Sequence, residues 1–261
     1  MYEFEINQPT TLAQAIETLS SEDAQPIAGG QTLIPTLKAR LAMPETLVSL
    51  SRIAELRGIT QEGDVLTIGA TTTHAEIEAG ATAYPGLAAL AGGIGDPAVR
   101  NRGTIGGSVA NNDPSACYPA AVLASGAVIV TNTREIPADA FFDGMFNTVL
   151  DEGELVTAIR FPVPTASCYM KFEQPASRFA LVGVFVANYG GNVRVAVTGA
   201  SEDGVFRWSE AEDALSQEFS VAAVDGLSLP GQPMLNDIHG SGDYRAHLVK
   251  VMTKRAVERA G

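Results

Sequence analysis

Leu33, Leu37 and Leu41 recur every fourth residue, which sets them on one side of a helix beginning just after a glycine pair. Pro35 falls in the first turn of that helix, where a missing N–H costs nothing. Residues 25–28 are short and apolar and read as a strand; Leu47-Val48-Ser49-Leu50 reads as the next, so the pattern predicts a small β-loop-α-β unit. Upstream, Thr10 or Thr11 caps a helix to about Leu19. Downstream, Leu56 to Thr60 and Val65 to Ala70 flank the turn Gln61-Glu62-Gly63-Asp64 and predict a hairpin. Thr72 or Thr73 caps a helix through Ala79, and Gly86 to Gly92 is helical in character.

The stretch Pro114 to Thr133 carries no charge, but Pro119, Gly126 and several hydroxyl residues interrupt it. It reads as a buried helix, Tyr118 to Ala124, and a strand, Ala127 to Val130, rather than a membrane span. Arg134 to Ile136 pairs with that strand, and Glu154 to Phe161 alternates as another, closed by Pro162. Pro162-Val163-Pro164-Thr165 is the candidate boundary. Past it, Tyr169 to Phe172, Leu181 to Tyr189 and Val193 to Gly199 predict three antiparallel strands, the last two joined by a Gly-Gly turn. Trp208 to Ser216, a stretch near Val221, and Asp243 to Ala260 read as helices, the last with Leu248, Val251 and Met252 on a common face.

Two glycine-rich segments interrupt these elements: Ala28-Gly29-Gly30-Gln31-Thr32 and Gly103-Thr104-Ile105-Gly106-Gly107-Ser108. Each offers backbone N–H groups with no side chain in the way, and a helix opening behind the first adds more. One such loop is as well explained by a plain strand-to-helix turn; two in one domain point to an anion, with a diphosphate the obvious candidate. Gly93-Ile94-Gly95-Asp96-Pro97-Ala98 also matches the dinucleotide fingerprint G-x-G-x-x-A. Its context fails, because Leu87 to Gly92 reads as helix rather than as the buried strand the fingerprint requires.

Composition narrows the chemistry. In 261 residues there are 30 acidic and 17 basic side chains, a net charge of -13, which argues against a nucleic-acid partner. Cys117 and Cys168 form no CxxC pair, and His74, His239 and His247 have no metal-ligand spacing. The N-terminus lacks a signal-peptide pattern, so a cytoplasmic protein with reduced thiols is expected. No acid–base or nucleophile set emerges; His74 reads as a helix-start residue, and Asp113 and Cys117 sit in a polar turn as caps or ligand contacts. A cofactor is therefore expected to supply any chemistry.

Ala28-Gly29-Gly30-Gln31-Thr32-Leu33-Ile34-Pro35 and Thr104-Ile105-Gly106-Gly107-Ser108 resemble the two FAD-binding motifs of the flavoprotein subunits of molybdenum hydroxylases. Asp96 to Gly103, Asp113-Pro114 with Tyr118-Pro119-Ala120-Ala121, Gly153-Glu154-Leu155-Val156 and Ser241 to Arg245 extend the resemblance nearly end to end. It is nearest to the medium subunits of aerobic carbon monoxide dehydrogenase, and xanthine dehydrogenase carries the same module. The resemblance implies an α+β fold: a two-subdomain FAD-binding domain of the vanillyl-alcohol-oxidase (PCMH) type over 1–164, with subdomains about 1–55 and 56–164. A C-terminal domain over 165–261 would hold a three-stranded antiparallel sheet and helices.

The resemblance also implies roles. Ile27, Ala28, Gly29, Gly30, Gln31, Thr32, Leu33 and Ile34, with Gly103, Thr104, Ile105, Gly106, Gly107 and Ser108, would wrap the diphosphate and adjoining parts of FAD. Ile94 would touch the cofactor between the loops, and Leu155 and Val156 would present backbone near the isoalloxazine. Lys171 would stabilise negative charge on the reduced ring, with Phe179 near its face. Many relatives carry Asp at the position of Cys117, contacting the ribityl chain; a thiol is a far weaker partner. Either Asp113 or a neighbouring asparagine compensates, or FAD is held more loosely.

The expected function is electron transfer within a heterotrimer. A large molybdopterin subunit oxidises the substrate, a small iron–sulfur subunit passes the electrons on, and this FAD delivers them to an external acceptor. The heterotrimer can itself dimerise. Two alternatives stand beside it: a stand-alone FAD oxidoreductase with His74 or Asp113 as base, and a non-catalytic subunit with weakened FAD binding. The basic residues Arg245, Lys250, Lys254, Arg255 and Arg259 of the last helix read as a solvated face, or as a contact for an acidic partner.

Overall fold

Three sheets organise the chain, and the structure, a computed structural model, describes residues 1–229 and 232–260. The first sheet is parallel, in the order β1 (Glu5–Asn7), β3 (Thr46–Ser49), β2 (Ala24–Ile27). Helix α1 (Leu12–Leu19) links β1 to β2, with the Thr11 hydroxyl accepting from the Gln14 N–H as its cap. Helix α2 (Leu33–Lys38) links β2 to β3. It ends before Leu41: Arg40 turns to φ 59° and Leu41 is 80% exposed, so the third leucine of the repeat lies outside the helix. Strand β1 has no apolar alternation to betray it, being exposed at all three residues; its pairing with β3 makes it a strand.

The second sheet is antiparallel and five-stranded, in the order β4 (Ile59–Glu62), β5 (Val65–Gly69), β8 (Val156–Pro162), β6 (Val128–Thr131), β7 (Glu135–Pro137). Helices α3 (His74–Gly80), α4 (Pro85–Gly92) and α7 (Tyr118–Ala124) supply much of the apolar cover, α7 buried at every residue. Because α4 occupies Pro85–Gly92, the dinucleotide fingerprint lacks its strand. Between these helices lie α5 (Pro97–Arg100) and α6 (Ile105–Asn111), neither expected from the sequence. Gly106 and Gly107 weaken helix propensity in α6, but the Thr104 side chain caps it and buried Ile105 and Val109 pin it to the core.

The chain leaves β8 at Pro162 and enters the third sheet at β9 (Ala166–Glu173), followed by β10 (Ala180–Asn188) and β11 (Val193–Ser201). The three expected antiparallel strands are present, and a fourth, β12 (Gly204–Arg207), pairs with β11 at the edge. That strand is four residues long and follows a tight turn, too short to show a period of its own. One face of β10 packs Val182, Val184 and Val186 against α8 (Ser209–Gln217) and α9 (Gly242–Ala260). Its other face adds Phe185 and Ala187 to the core of the five-stranded sheet. Burial on both faces is why its sequence is continuously apolar rather than alternating.

Arg245 on α9 is 3% exposed, donating to the carbonyls of Leu181 and Gly199 and to the Asp237 carboxylate. Lys250 and Lys254 both reach Asp225. Arg245 is therefore used inside the chain, whereas Lys250 and Lys254 meet Asp225 at the surface and Arg255 and Arg259 are exposed, so the rest of the basic face is solvated.

Candidate functional site

A cleft of about 650 Å³ lies where loops from all three sheets converge. One wall is the 28–32 loop after β2, the next is the start of α6, and the floor comes from Asp113 to Cys117 ahead of α7. Glu154, Leu155 and Val156 close it from the five-stranded sheet. Lys171 of β9 and the Ser177–Phe179 turn close it from the four-stranded one. Every residue singled out from the sequence lines this cleft except Ile34 and Ile105. Ile105 is fully buried in the core beneath α6, and Ile34 folds back under Gly30. Hydrophobic residues in glycine loops anchor the loop as readily as they touch a ligand, and sequence does not separate the two roles.

The glycines bring the loops together by close approach. A Cβ on Gly29 would lie 2.0 Å from the Arg102 carbonyl oxygen, and one on Gly103 would lie 2.5 Å from Nε2 of His74. Side chains at either position would push the walls apart.

The backbone N–H groups then distinguish the loops. In the second, Ile105 donates to the Thr72 carbonyl and Gly106 to that of Ala70. Gly107 and Ser108 donate to the Thr104 hydroxyl and carbonyl. Those donors hold the loop in place. In the first, the N–H groups of Gly29, Gly30, Gln31, Thr32 and Leu33 find no acceptor among the described residues, and all five residues line the cleft. Five consecutive open donors beside a cleft form an anion cradle. The first loop supplies it; the second supplies a wall and hydroxyls.

Lys171 is 7% exposed in its side chain, and its Nζ donates to the carbonyls of Gly93 (2.7 Å) and Arg178 (2.8 Å). Cys117 Sγ is 3.9 Å away, and burial raises the Cys117 pKa against the opposing pull of the Lys171 charge. The thiol is thus neutral near pH 7. Asp113 accepts from the Ser115 N–H and lines the cleft four residues before Cys117, the residue that precedes α7. Phe179, 49% exposed, stands at the mouth. Leu155 does not offer its backbone to the cleft, because its N–H donates to Asn132 Oδ1 and its carbonyl accepts from the Asn132 N–H.

Sequence reading set aside two residues that the cleft contains. Glu154 is buried beneath Arg134, Thr131 and Thr133 and accepts from all three. The Arg134 guanidinium leads in holding its carboxyl well below the usual carboxylate range. His74, at the start of α3 behind the Thr73–Glu76 capping box, is 5% exposed. Burial, with help from the Arg100 charge, lowers its pKa to about 4, so the imidazole is neutral near pH 7. His74 has no carboxylate to orient it among the described residues, and Asp113 accepts from the Ser115 N–H. No cluster of metal-ligating side chains exists among the described residues.

A protein-family comparison matches residues 2–164 to the FAD binding domain in molybdopterin dehydrogenase. The chain belongs to this FAD-binding family. The carbon monoxide dehydrogenase medium chain of Hydrogenophaga pseudoflava is 34% identical over 278 residues, covering 98% of this chain and 96% of that one. The nicotine 6-hydroxylase medium subunit of Paenarthrobacter nicotinovorans is 34% identical, covering 97% and 95%. Reconstituted CO dehydrogenase from Oligotropha carboxidovorans contains a chain that superposes with a TM-score of 0.90 at 34% identity, covering 99% and 98%.

The fold is that of the family, the chain is an oxidoreductase component, and its cofactor is FAD. The residues present fit that cofactor: five open amides suit a diphosphate, and the cleft is of a size typical for a ligand site. No helix among the described residues is long and apolar enough to cross a membrane.

Proposed function

We propose that this chain is the FAD-carrying medium subunit of a molybdenum hydroxylase. It passes electrons from the iron–sulfur clusters of a small partner subunit to an external acceptor, while a large molybdopterin subunit oxidises the substrate. The observation that carries this reading is the open-amide loop at Gly29–Leu33, beside a ligand-sized cleft, in a chain that matches medium subunits along nearly its whole length. FAD, when bound, supplies one- and two-electron redox chemistry.

The protein's part is to hold and expose it. Ile27 to Leu33 cradle the diphosphate, and Gly103, Thr104 and Gly106 to Ser108 form the facing wall. Asp113 and Cys117 face the ribityl chain, while Ile94, Leu155, Val156, Lys171 and Phe179 surround the ring. Lys171 brings a buried positive charge to this end of the cleft, favouring negative charge there. Residues 1–164 form the FAD domain, with subdomains about 1–55 and 56–164, and 165–261 form the C-terminal domain. We place the complex, a heterotrimer that can dimerise, in the cytoplasm, where the two free thiols stay reduced.

The test is to co-express the chain with its two partner subunits, add substrate, and follow the flavin absorbance. Bleaching that requires all three subunits supports the reading. Turnover of an organic substrate by this chain alone would replace it with a stand-alone oxidoreductase, and a purified chain without flavin absorbance would leave a non-catalytic subunit.

A further inference from the structure

His74 touches the cleft without a partner. Its Nδ1 is buried and makes no hydrogen bond, and none of the described residues bonds its Nε2, which lies against Gly103 at the cleft wall. Its backbone is fixed twice, by the Thr73–Glu76 capping box and by its own N–H donating to the Gly103 carbonyl at 3.0 Å. Its ring packs against Tyr118 with centroids 5.3 Å apart. A rigidly held imidazole, buried at Nδ1 and facing the cleft with an unused Nε2, offers the cleft a fixed polar group for a ligand.

Its protonation follows from the surroundings. A neutral ring carries one N–H, and a buried N–H without an acceptor costs more than a buried lone pair. The proton therefore sits on Nε2, next to Gly103. Gly103 Cα in turn lies against Gly29, the first residue of the open-amide loop. Nε2–H and the five amides thus border the same part of the cleft.

We propose that His74 is a cofactor-binding residue, its Nε2–H donating to an oxygen of the FAD diphosphate opposite the Gly29–Leu33 amides. This inference rests on the FAD reading above and adds a contact that neither glycine motif contains.

The test uses the full chain, freed of flavin, with its imidazoles labelled with 15N. His74 is assigned by the loss of its signals in His74→Gln, which leaves His239 and His247. Saturating FAD is expected to move the His74 Nε2 resonance and leave the other two in place. ADP, which has the diphosphate without the flavin, is expected to move it in the same direction.

In fluorescence titrations, His74→Phe is expected to bind FAD at least roughly tenfold more weakly, as for a lost hydrogen bond to a charged group. His74→Gln, which keeps a donor, is expected to recover most of that loss. A His74 resonance unmoved by bound FAD, one that answers riboflavin but not ADP, or a His74→Phe chain that holds FAD as tightly as wild type would overturn the proposal and leave the FAD reading intact. Failure of the wild-type chain to bind FAD at all would overturn both.

Discussion

At Cys117 the cleft places a neutral thiol beside a buried ammonium whose other contacts are two carbonyl oxygens and the Glu173 carboxylate at 3.4 Å. A carboxylate at this position would add a second charged acceptor within reach of Lys171 and, on the proposed placement of FAD, of its ribityl chain. Cys117→Asp is expected to slow FAD loss on dilution by about tenfold, the scale of one hydrogen bond to a charged group; equal retention would show that the thiol costs nothing. Gly29 is constrained from the other side. Gly29→Ala would drive a methyl carbon into the Arg102 carbonyl, so loop and wall must separate, at about 2 kcal/mol or more of stability and with loss of bound flavin. Melting temperature and flavin content of the purified variant check both effects. The residue types in the two glycine loops were legible from sequence because only glycine permits such close approach. Which loop keeps its amides open was not, because the acceptors at Ala70 and Thr72 lie more than thirty residues away along the chain.

Two elements owe their positions to buried charges. Glu154 joins the loop ahead of β8 to the turn after β6, accepting from Thr131, Thr133, Arg134 and the Asp151 N–H. Its folded-state pKa is depressed, so the stability it contributes is present above its unfolded pKa of about 4.3 and is lost as the solution becomes more acid. Urea midpoints measured between about pH 6 and pH 3 are expected to fall more steeply for wild type than for Glu154→Gln. On α9, Arg245 fixes the helix start against β10 and β11. Arg245→Ala leaves two buried carbonyls without a donor and is expected to cost about 3 kcal/mol in chemical denaturation, whereas Arg255→Ala on the exposed side is expected to cost almost nothing. The charge pattern of α9 suggested a surface. The structure ties part of it to carboxylates of the same chain, Arg245 to nearby Asp237 and Lys254 to Asp225, which comes within reach only when the chain folds.

Across the whole molecule the cleft exists only where three sheets meet. Phe185, Ala187 and Ala196 of the four-stranded sheet complete the core of the five-stranded one, so the two regions share apolar surface. The full chain is expected to unfold in one calorimetric transition, and a 1–164 fragment to expose that surface and aggregate; two independent transitions would show separable domains. Most strands and helices could be read from sequence, because periodicity and caps are local properties of the chain, and the resemblance of the two glycine motifs to a known family supplied the family and the cofactor. Strands β1 and β12 could not, since they are strands only by virtue of the partners they pair with. The same holds for the site. By itself the sequence determined that two glycine loops flank a cofactor-binding domain. Only the tertiary structure decided that the first loop holds the open donors, that Ile105 serves the core, and that His74 has no hydrogen-bond partner among the described residues at the cleft wall. Those distinctions rest on hydrogen-bond acceptors and burial, which long-range contacts alone create.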